Sequence, residues 1–367
     1  MNVLYQRSPR IRPALPNEDL EILRPPSEPS KPSFSMIAII IPIIMTAVTI
    51  GFYVYMNVSG KMGNSNYMMF QMLSIFMMLT SYTLPFFMYL SNKKTYQKNL
   101  AERNQKYRAQ LDLHREELKE RQEDQVHILF DIHGDPDVCY NVVKNRSSSL
   151  WERSPEDKDF LEICVGKGEV PFHIHVKPPR ADGYDKDPLI EAAELLSAEF
   201  QTVDDASIAL PLFESKVIGI VGGRERVLNM LRVMMAQTAV RHSPDEVKIA
   251  AFYEEKEASE WQWLRWLPHT WDDDRSSRYL ADRRSNAHQL ADEIFTHLYR
   301  RKNNRSEHGK KSIETPAYVV ILSAAQLIEE EPLLPLLMED ADAADAVTII
   351  LSDRKESLPM HCQLIVE

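Results

Sequence analysis

Apolar positions along this chain change their period three times, and each change marks a different kind of element. Phe34–Met56 and Tyr67–Leu90 are nearly continuous apolar runs without a single charge. At about 1.5 Å per residue, each would form a helix of roughly 34 Å, enough to cross a bilayer with some tilt. Pro42 and Pro85 lie inside these runs, which neighbouring helices accommodate in membrane spans. From Asn92 to Gln125 the pattern turns polar, with no Pro or Gly and with i,i+4 pairs such as Glu102/Lys106 and Glu117/Arg121. Tyr96, Leu100, Tyr107, Leu111 and Leu118 form a narrow seam there. The spacing predicts a stalk helix of about 50 Å with room for one partner helix. A short helix is expected from Asp135-Pro136 through Val143. The period then drops to two: Phe160–Val165 and Phe172–Val176 read as strands of a hairpin turning at Gly166–Gly168.

After a helix at Leu189–Phe200 the pattern alternates between strand and helix. Strand Val217–Val221, helix Arg224–Arg241, strand Val247–Tyr253 and a helix over about Asp282–Arg301 lead to strands Tyr318–Leu322, Val347–Leu351 and Gln363–Val366. Such continuous apolar strands are buried on both faces of a parallel sheet. The expected fold class is α/β: two transmembrane helices and a helical stalk, then a RecA-like domain with a mostly parallel sheet. The expected segments are an arm (1–33), a transmembrane hairpin (34–90), a stalk (91–150), a small β-hairpin and helix subdomain (151–210) and the α/β domain (211–367).

Lys216–Val240 has the layout of a nucleotide-binding P-loop without its lysine. A working loop cradles phosphate with backbone N–H groups, sets a Lys on the β- and γ-phosphates and holds Mg²⁺ with a Ser/Thr hydroxyl. Here the loop reads Gly219, Gly222, Gly223, Arg224, Glu225 and Arg226, followed by Val227, and Glu225 would repel a polyphosphate. The strand expected to carry the metal-side acid ends in Ser323 and Ala324. Two independent requirements are missing together, so the expectation is a degenerate ATPase-like site with no catalytic residue. A rearranged site using Glu225, Asp353 or the Glu329–Glu331 run is the alternative. Gly222 and Gly223 at a helix N-terminus, beside Arg224 and Arg226, suit weak anion binding.

Composition narrows the remaining classes. The chain has 367 residues, 44% hydrophobic and 9% aromatic, ample for a packed core. Its 43 Lys and Arg against 54 Asp and Glu give a net charge of −11, which argues against nucleic acid as a partner. Cys139, Cys164 and Cys362 are too scattered for a disulfide framework or a zinc site. His173 and His175 share a strand face without a third ligand, so no metal is expected. Trp261, Trp263, Trp266 and Trp271 crowd one short segment; packing under the sheet edge and a subunit contact are the two readings. The acidic runs Glu254–Glu257 and Asp272–Asp274 beside them read as solvated loops. Arg7, Arg10, Arg12, Arg24 and Lys31 precede the first apolar run, and Lys93, Lys94, Lys98 and Arg103 follow the second, which puts both flanks in the cytosol.

Ser243–Tyr253 followed by Leu267-Pro-His269 is similar to the second strand and loop of FtsK/SpoIIIE-type motor domains, with Tyr253-Glu254-Glu255 in place of their Asp-Pro-Lys-like step. Val347–Ser352 resembles their later sensing strand, with Asp353-Arg354-Lys355 where Thr-Gln-Arg is usual. Together with Arg7–Pro13, Leu150-Trp-Glu-Arg153 and Asp157-x-Asp-Phe160, the chain resembles the EccC/EssC family, the membrane-anchored motor ATPases of bacterial type VII secretion. The resemblance implies a paired membrane anchor, a stalk and a degenerate first ATPase-like domain. In the family, several ATPase domains follow and export small helical-hairpin substrates, so ATP and Mg²⁺ would belong to those domains and no cofactor is expected here. It implies the bacterial cell membrane as location and the lipid bilayer and other secretion components as partners, with self-association, a hexamer by analogy. Trp151, Arg153 and the four clustered tryptophans are the candidate interface. The alternatives are a weak nucleotide hydrolase with a non-standard site and a DNA translocase relative.

Overall fold

The computed structural model describes residues 10, 13–15, 18–33, 36–59, 65–134, 136–180, 187–308 and 313–367. Arg7 and Arg12, which entered the charge argument, lie outside them. In chain order the elements are β1 (Asp19–Glu21), α1 (Met36–Val58), α2 (Ser65–His133), α3 (Pro136–Lys144), β2 (Glu162–Pro171), β3 (His175–Lys177), α4 (Pro188–Glu199), β4 (Thr202–Pro211) and α5 (Leu212–Ser215). Then come β5 (Val217–Val221), α6 (Arg224–Arg241), β6 (Val247–Phe252), α7 (Ala258–Trp261), β7 (Leu280–Ala281), α8 (Arg284–His308), β8 (Ala317–Leu322), α9 (Leu333–Glu339), α10 (Ala341–Ala344), β9 (Ala346–Ser352) and β10 (Leu364–Val366). Two compact units divide the chain. One comprises Glu18–Glu120 and Ile174–Gln201, the other Arg121–His173 and Thr202–Glu367 with the segment around Arg10.

The second apolar run and the stalk are parts of one 69-residue helix, α2, of which the residues up to Glu120 belong to the first unit. By length and composition, α2 is the one described helix long and apolar enough to cross a membrane; α1 contributes a shorter apolar stretch, Ile40–Met56. Large apolar side chains on both helices, among them Ile44, Val48, Phe76 and Leu84, face outward, and the Thr46 and Tyr82 hydroxyls meet across them at 3.0 Å. The stalk seam finds its partner within the chain. Arg103 pairs with Asp187 at the start of α4 and Arg115 with Glu199 at its end, so α4 runs parallel to α2, and Tyr107, Leu111 and Leu118 are buried. The arm preceding α1 lies along the same helix. Tyr107 Oη donates to Leu23 O at 2.8 Å, Arg103 Nε to Pro26 O at 2.6 Å, and β1 pairs in parallel with β3.

The second unit is a three-layer α/β domain. Its main sheet has six strands, all parallel, in the order β10-β5-β9-β8-β6-β7. Alternate residues of each strand serve opposite faces, as the pleat requires. Ile249, Val319, Ile321 and Ile349 pack against Leu228, Leu231 and Met235 of α6; Ala250, Phe252, Val320 and Ile350 pack against Ile294 and Leu298 of α8 and Leu337 of α9. The expected hairpin at Gly166–Gly168 is corrected here. β2 runs straight through those glycines and pairs antiparallel with β4, with register shifts at Cys164/Gly166 and Gly168/Val170. Gly168 serves a close approach instead of a turn: a Cβ there would lie 2.7 Å from Ile208 Cδ1 on the facing strand. Gln237 of α6 satisfies the backbone beside the first shift, accepting from Cys164 N at 3.1 Å and donating to Cys164 O at 2.7 Å.

A reciprocal cap ties the end of α2 to the end of α6 in this unit. Helices end with carbonyls that have no partner inside the helix. The Arg153 guanidinium donates to Ile132 O at 2.9 Å, and that of Arg241 donates to Ile132 O at 3.1 Å and to His133 O. In return, the α6 carbonyls of Ala239, Val240 and Arg241 accept from Trp151 Nε1, Trp151 N and Arg153 N. Asp159 balances the buried charge through Arg153 Nε at 3.1 Å and Arg10 at 2.7 Å. Replacing Arg153 with Met leaves the Ile132, Asp159 and Glu162 carbonyls each short of a donor, and thermal or chemical unfolding should show a loss of about 3–5 kcal/mol.

Two histidines pin the same region. His242 Nε2 accepts from Leu161 N at 3.0 Å and its Nδ1 donates to Thr238 O at 3.1 Å; His269 Nε2 donates to His242 O at 2.8 Å. Burial pushes His242 well below the ordinary 6.5 and His269 down to about 4. Both are therefore neutral in the folded chain. Below pH 6.5 the unfolded chain takes up protons that the folded one refuses, so this stability is complete above 6.5 and falls as pH drops toward 4. Denaturant titrations at pH 7 and pH 5 should show a decline approaching about 1.4 kcal/mol per pH unit for each histidine.

Candidate functional site

At the carboxyl end of β5 the chain turns into α6 through only two residues, Gly222 and Gly223. Gly222 has φ +150, a conformation that glycine alone adopts readily, and its N–H is used up on Ser352 O at 3.1 Å. In the phosphate-binding pattern Gly-x-x-x-x-Gly-Lys-Ser/Thr, the second Gly maps onto Gly223, the Lys onto Arg224 and the Ser/Thr onto Glu225, while Ile218 stands where the first Gly belongs. Gly219 sits one residue late and has a different role. It lies beneath Leu358, whose Cδ1 a Cβ at this position would strike.

Arg224 closes the loop from above. Its Nε donates to Glu257 Oε1 at 3.1 Å, and its Nη2 reaches both Glu257 Oε2 and the Ser323 hydroxyl. Glu257 follows β6 and Ser323 follows β8, so one guanidinium joins three strand ends across the top of the sheet. The two segments expected to form a degenerate site, the loop and the strand end at Ser323, are thus brought together and bridged. Ser323 and Ala324 are themselves held by N–H donation to Phe252 O, both at 3.0 Å. Glu225 and Arg226 are exposed. Of the carboxylates weighed for a rearranged site, Glu331 pairs with His288 at 2.8 Å, and Asp353, Glu329 and Glu330 are exposed. Among the described residues no group of His, Cys, Asp and Glu has an arrangement that could hold a metal ion. A cavity of about 400 Å³ lies beside the loop, walled by Val221, Gly222, Arg226, Met230 and Val366.

The candidate interface residues separate. Trp261 is buried and stacks on Tyr253 with ring centroids 5.0 Å apart. That aromatic cover and the nearby Asp282 charge keep the Tyr253 hydroxyl above its usual range, burial being the larger cause. Trp263 packs against the same core, and Trp271 lies under the Arg278 guanidinium at 3.8 Å. Arg153 and Trp151 belong to the reciprocal cap, and Arg153 is fully buried, which removes it as an interface residue. Trp266 stands apart at 87% exposed. Sequence reasoning missed Glu257, read as solvated loop, and also Gln237, Arg241 and His242, because polar residues on a helix give no sign of which strand or helix end they will meet.

No protein-family profile matches the chain. Curated relatives match it nearly from end to end: the ESX secretion system protein EccC of Geobacillus thermodenitrificans is 27% identical over 99% of this chain and 24% of its own length. The ESX secretion system protein YukB of Bacillus subtilis is 24% identical over the same shares. The chain therefore spans about a quarter of the relatives it matches. Among solved structures, EssC (ATPases 2 and 3) from Geobacillus thermodenitrificans overlaps 59% of this chain and 40% of that one at 13% identity, with a TM-score of 0.40.

The packing at β5 predicts that Gly219→Ala, which pushes a methyl against the half-buried Leu358 side chain, costs about 1 kcal/mol in an unfolding titration. If Gly219 were held open for a ligand, the same change would leave stability intact.

Proposed function

We propose that this chain, a relative of the EccC/EssC type VII secretion ATPases along 99% of its length, is the anchor, stalk and pseudo-ATPase part of a secretion motor. The ATPase-like domain would regulate active ATPase domains instead of hydrolysing nucleotide itself. The observation that carries this reading is the Arg224 bridge to Glu257 and Ser323. In a phosphate loop the mapped lysine must be free to meet the β- and γ-phosphates, and the hydroxyl beyond it must meet Mg²⁺. Here the first position is bound to the protein's own carboxylate and the second is Glu225. A two-residue connection is also too short to wrap a polyphosphate with several N–H groups.

Membrane anchoring by α1 and by the apolar part of α2 rests on the absence of charge in these stretches, on the 23 residues of α1, which reach about 34 Å, and on their outward apolar side chains. The arm before α1 lies against residues that follow the apolar part of α2, which supports a hairpin with both flanks on one side. Positive flanking charge makes that side the cytosol. The other secretion components, the exported substrates and any ring of subunits come to this chain only through its relatives.

Weak anion or nucleotide binding is the second reading, favoured by the cavity beside Gly222 and Arg226. Calorimetric titration of the chain with Mg-ATP, with a parallel hydrolysis assay, separates the two. A pseudo-ATPase gives neither saturable heat nor turnover. Binding that disappears in Arg226→Ala would support the second reading, and turnover would contradict the first.

A further inference from the structure

We propose that Lys31, Lys93, Lys94 and Lys98 form a basic collar that binds the anionic headgroups of the lipid bilayer; this rests on the anchoring reading above. In a chain of net charge −11, no Asp or Glu occurs anywhere between Glu28 and Glu102. Every charge in that interval is a lysine, and all but Lys61, which lies outside the described residues, belong to the collar. The acid-free interval brackets α1 and the apolar part of α2. A solvated helix face would mix both signs, as the stalk does from Glu102 onward with Lys106, Arg108, Asp112 and Arg115.

The structure gathers these lysines at one level. The arm climbs α2 as it approaches α1: Leu23 meets Tyr107, Pro26 meets Arg103, and Pro29 and Asn99 wall one cavity. Two more extended residues advance about 6–7 Å, which equals roughly four helical residues. Lys31 therefore comes level with about Thr95, between Lys94 and Lys98, just past the end of the apolar part of α2. All four side chains are exposed. Lys98 has only a loose pair with Glu102 at 3.9 Å, and among the described residues Lys31, Lys93 and Lys94 make no ion pair. Lysines at the border of an apolar helix stretch their stems along it and place the ammonium among the headgroups. Anionic lipid is the partner that such a juxtamembrane cluster fits.

The test uses the full chain in uncharged detergent, offered phosphatidylglycerol and phosphatidylcholine together, with bound lipids counted by native mass spectrometry. The parent chain should prefer phosphatidylglycerol, and the preference should fall about fivefold for each lysine replaced by glutamine, and also with added salt. A variant carrying arginine at all four positions should keep it. Equal preference in the parent and in the K31Q/K93Q/K94Q/K98Q variant would overturn the collar. Carbonate extraction of the chain from cell membranes distinguishes the two layers of the argument. A chain that stays in the membrane but shows no headgroup preference defeats the collar alone, whereas a chain that is extracted defeats the anchor reading and the collar with it.

Discussion

The end of a long helix is a concentrated problem in backbone chemistry, and the α/β unit is organised around its solution. The last carbonyls of α2 have no partners within the helix and lie in the interior, where leaving them bare would cost on the order of 1–3 kcal/mol each. Arg153 and Arg241 take them, and the same segment that carries Arg153 returns its own backbone donors to the last carbonyls of α6. Burying two guanidiniums together is unfavourable unless a counter-charge is present. Burial, and Arg241 after it, holds the Arg153 pKa below its ordinary value at about 10, and the Asp159 carboxylate, shared between Arg153 and Arg10, supplies the counter-charge. The Trp-Glu-Arg segment that marked the family resemblance is therefore a structural clasp.

α6 carries an arginine at each end, and each closes something. Arg241, its last residue, belongs to the clasp; Arg224, its first, bridges Glu257 and Ser323. The pair between Arg224 and Glu257 is partly exposed, so its own contribution to stability is of the order of 1 kcal/mol. Its importance is positional. A cationic side chain already stands between the loop and the strand end where, in a nucleotide hydrolase, phosphate and metal would meet. Filling that place from within removes the need for a ligand to hold β5, β6 and β8 together at their carboxyl ends.

Much of this domain was legible in the sequence, and the reasons are physical. β5 and α6 match the expected bounds residue for residue, because a short apolar run, a glycine pair and a long polar helix face leave few alternatives. The parallel strands were legible from unbroken apolar runs such as Tyr318–Leu322. β4 was not, since Asp204 and Asp205 interrupt its alternation and its pairing with β2 depends on residues far away in sequence. Gly166 and Gly168 misled in the opposite way, for glycine in a strand marks close approach as readily as a turn. At the candidate site the sequence itself shows Arg224 and Glu225 after Gly223, and Ser323 and Ala324 after β8. The partner of Arg224 was not legible, because Glu257 lies in a run of four charged residues and only the fold selects which one faces Arg224.

Electron cryomicroscopy of the chain in saturating Mg-ATP would test the central claim most directly. The account predicts Arg224 still seated on Glu257 and Ser323, with no nucleotide over Gly222 and Gly223. Nucleotide density across that loop, with the Arg224 side chain turned onto its phosphates, would contradict it.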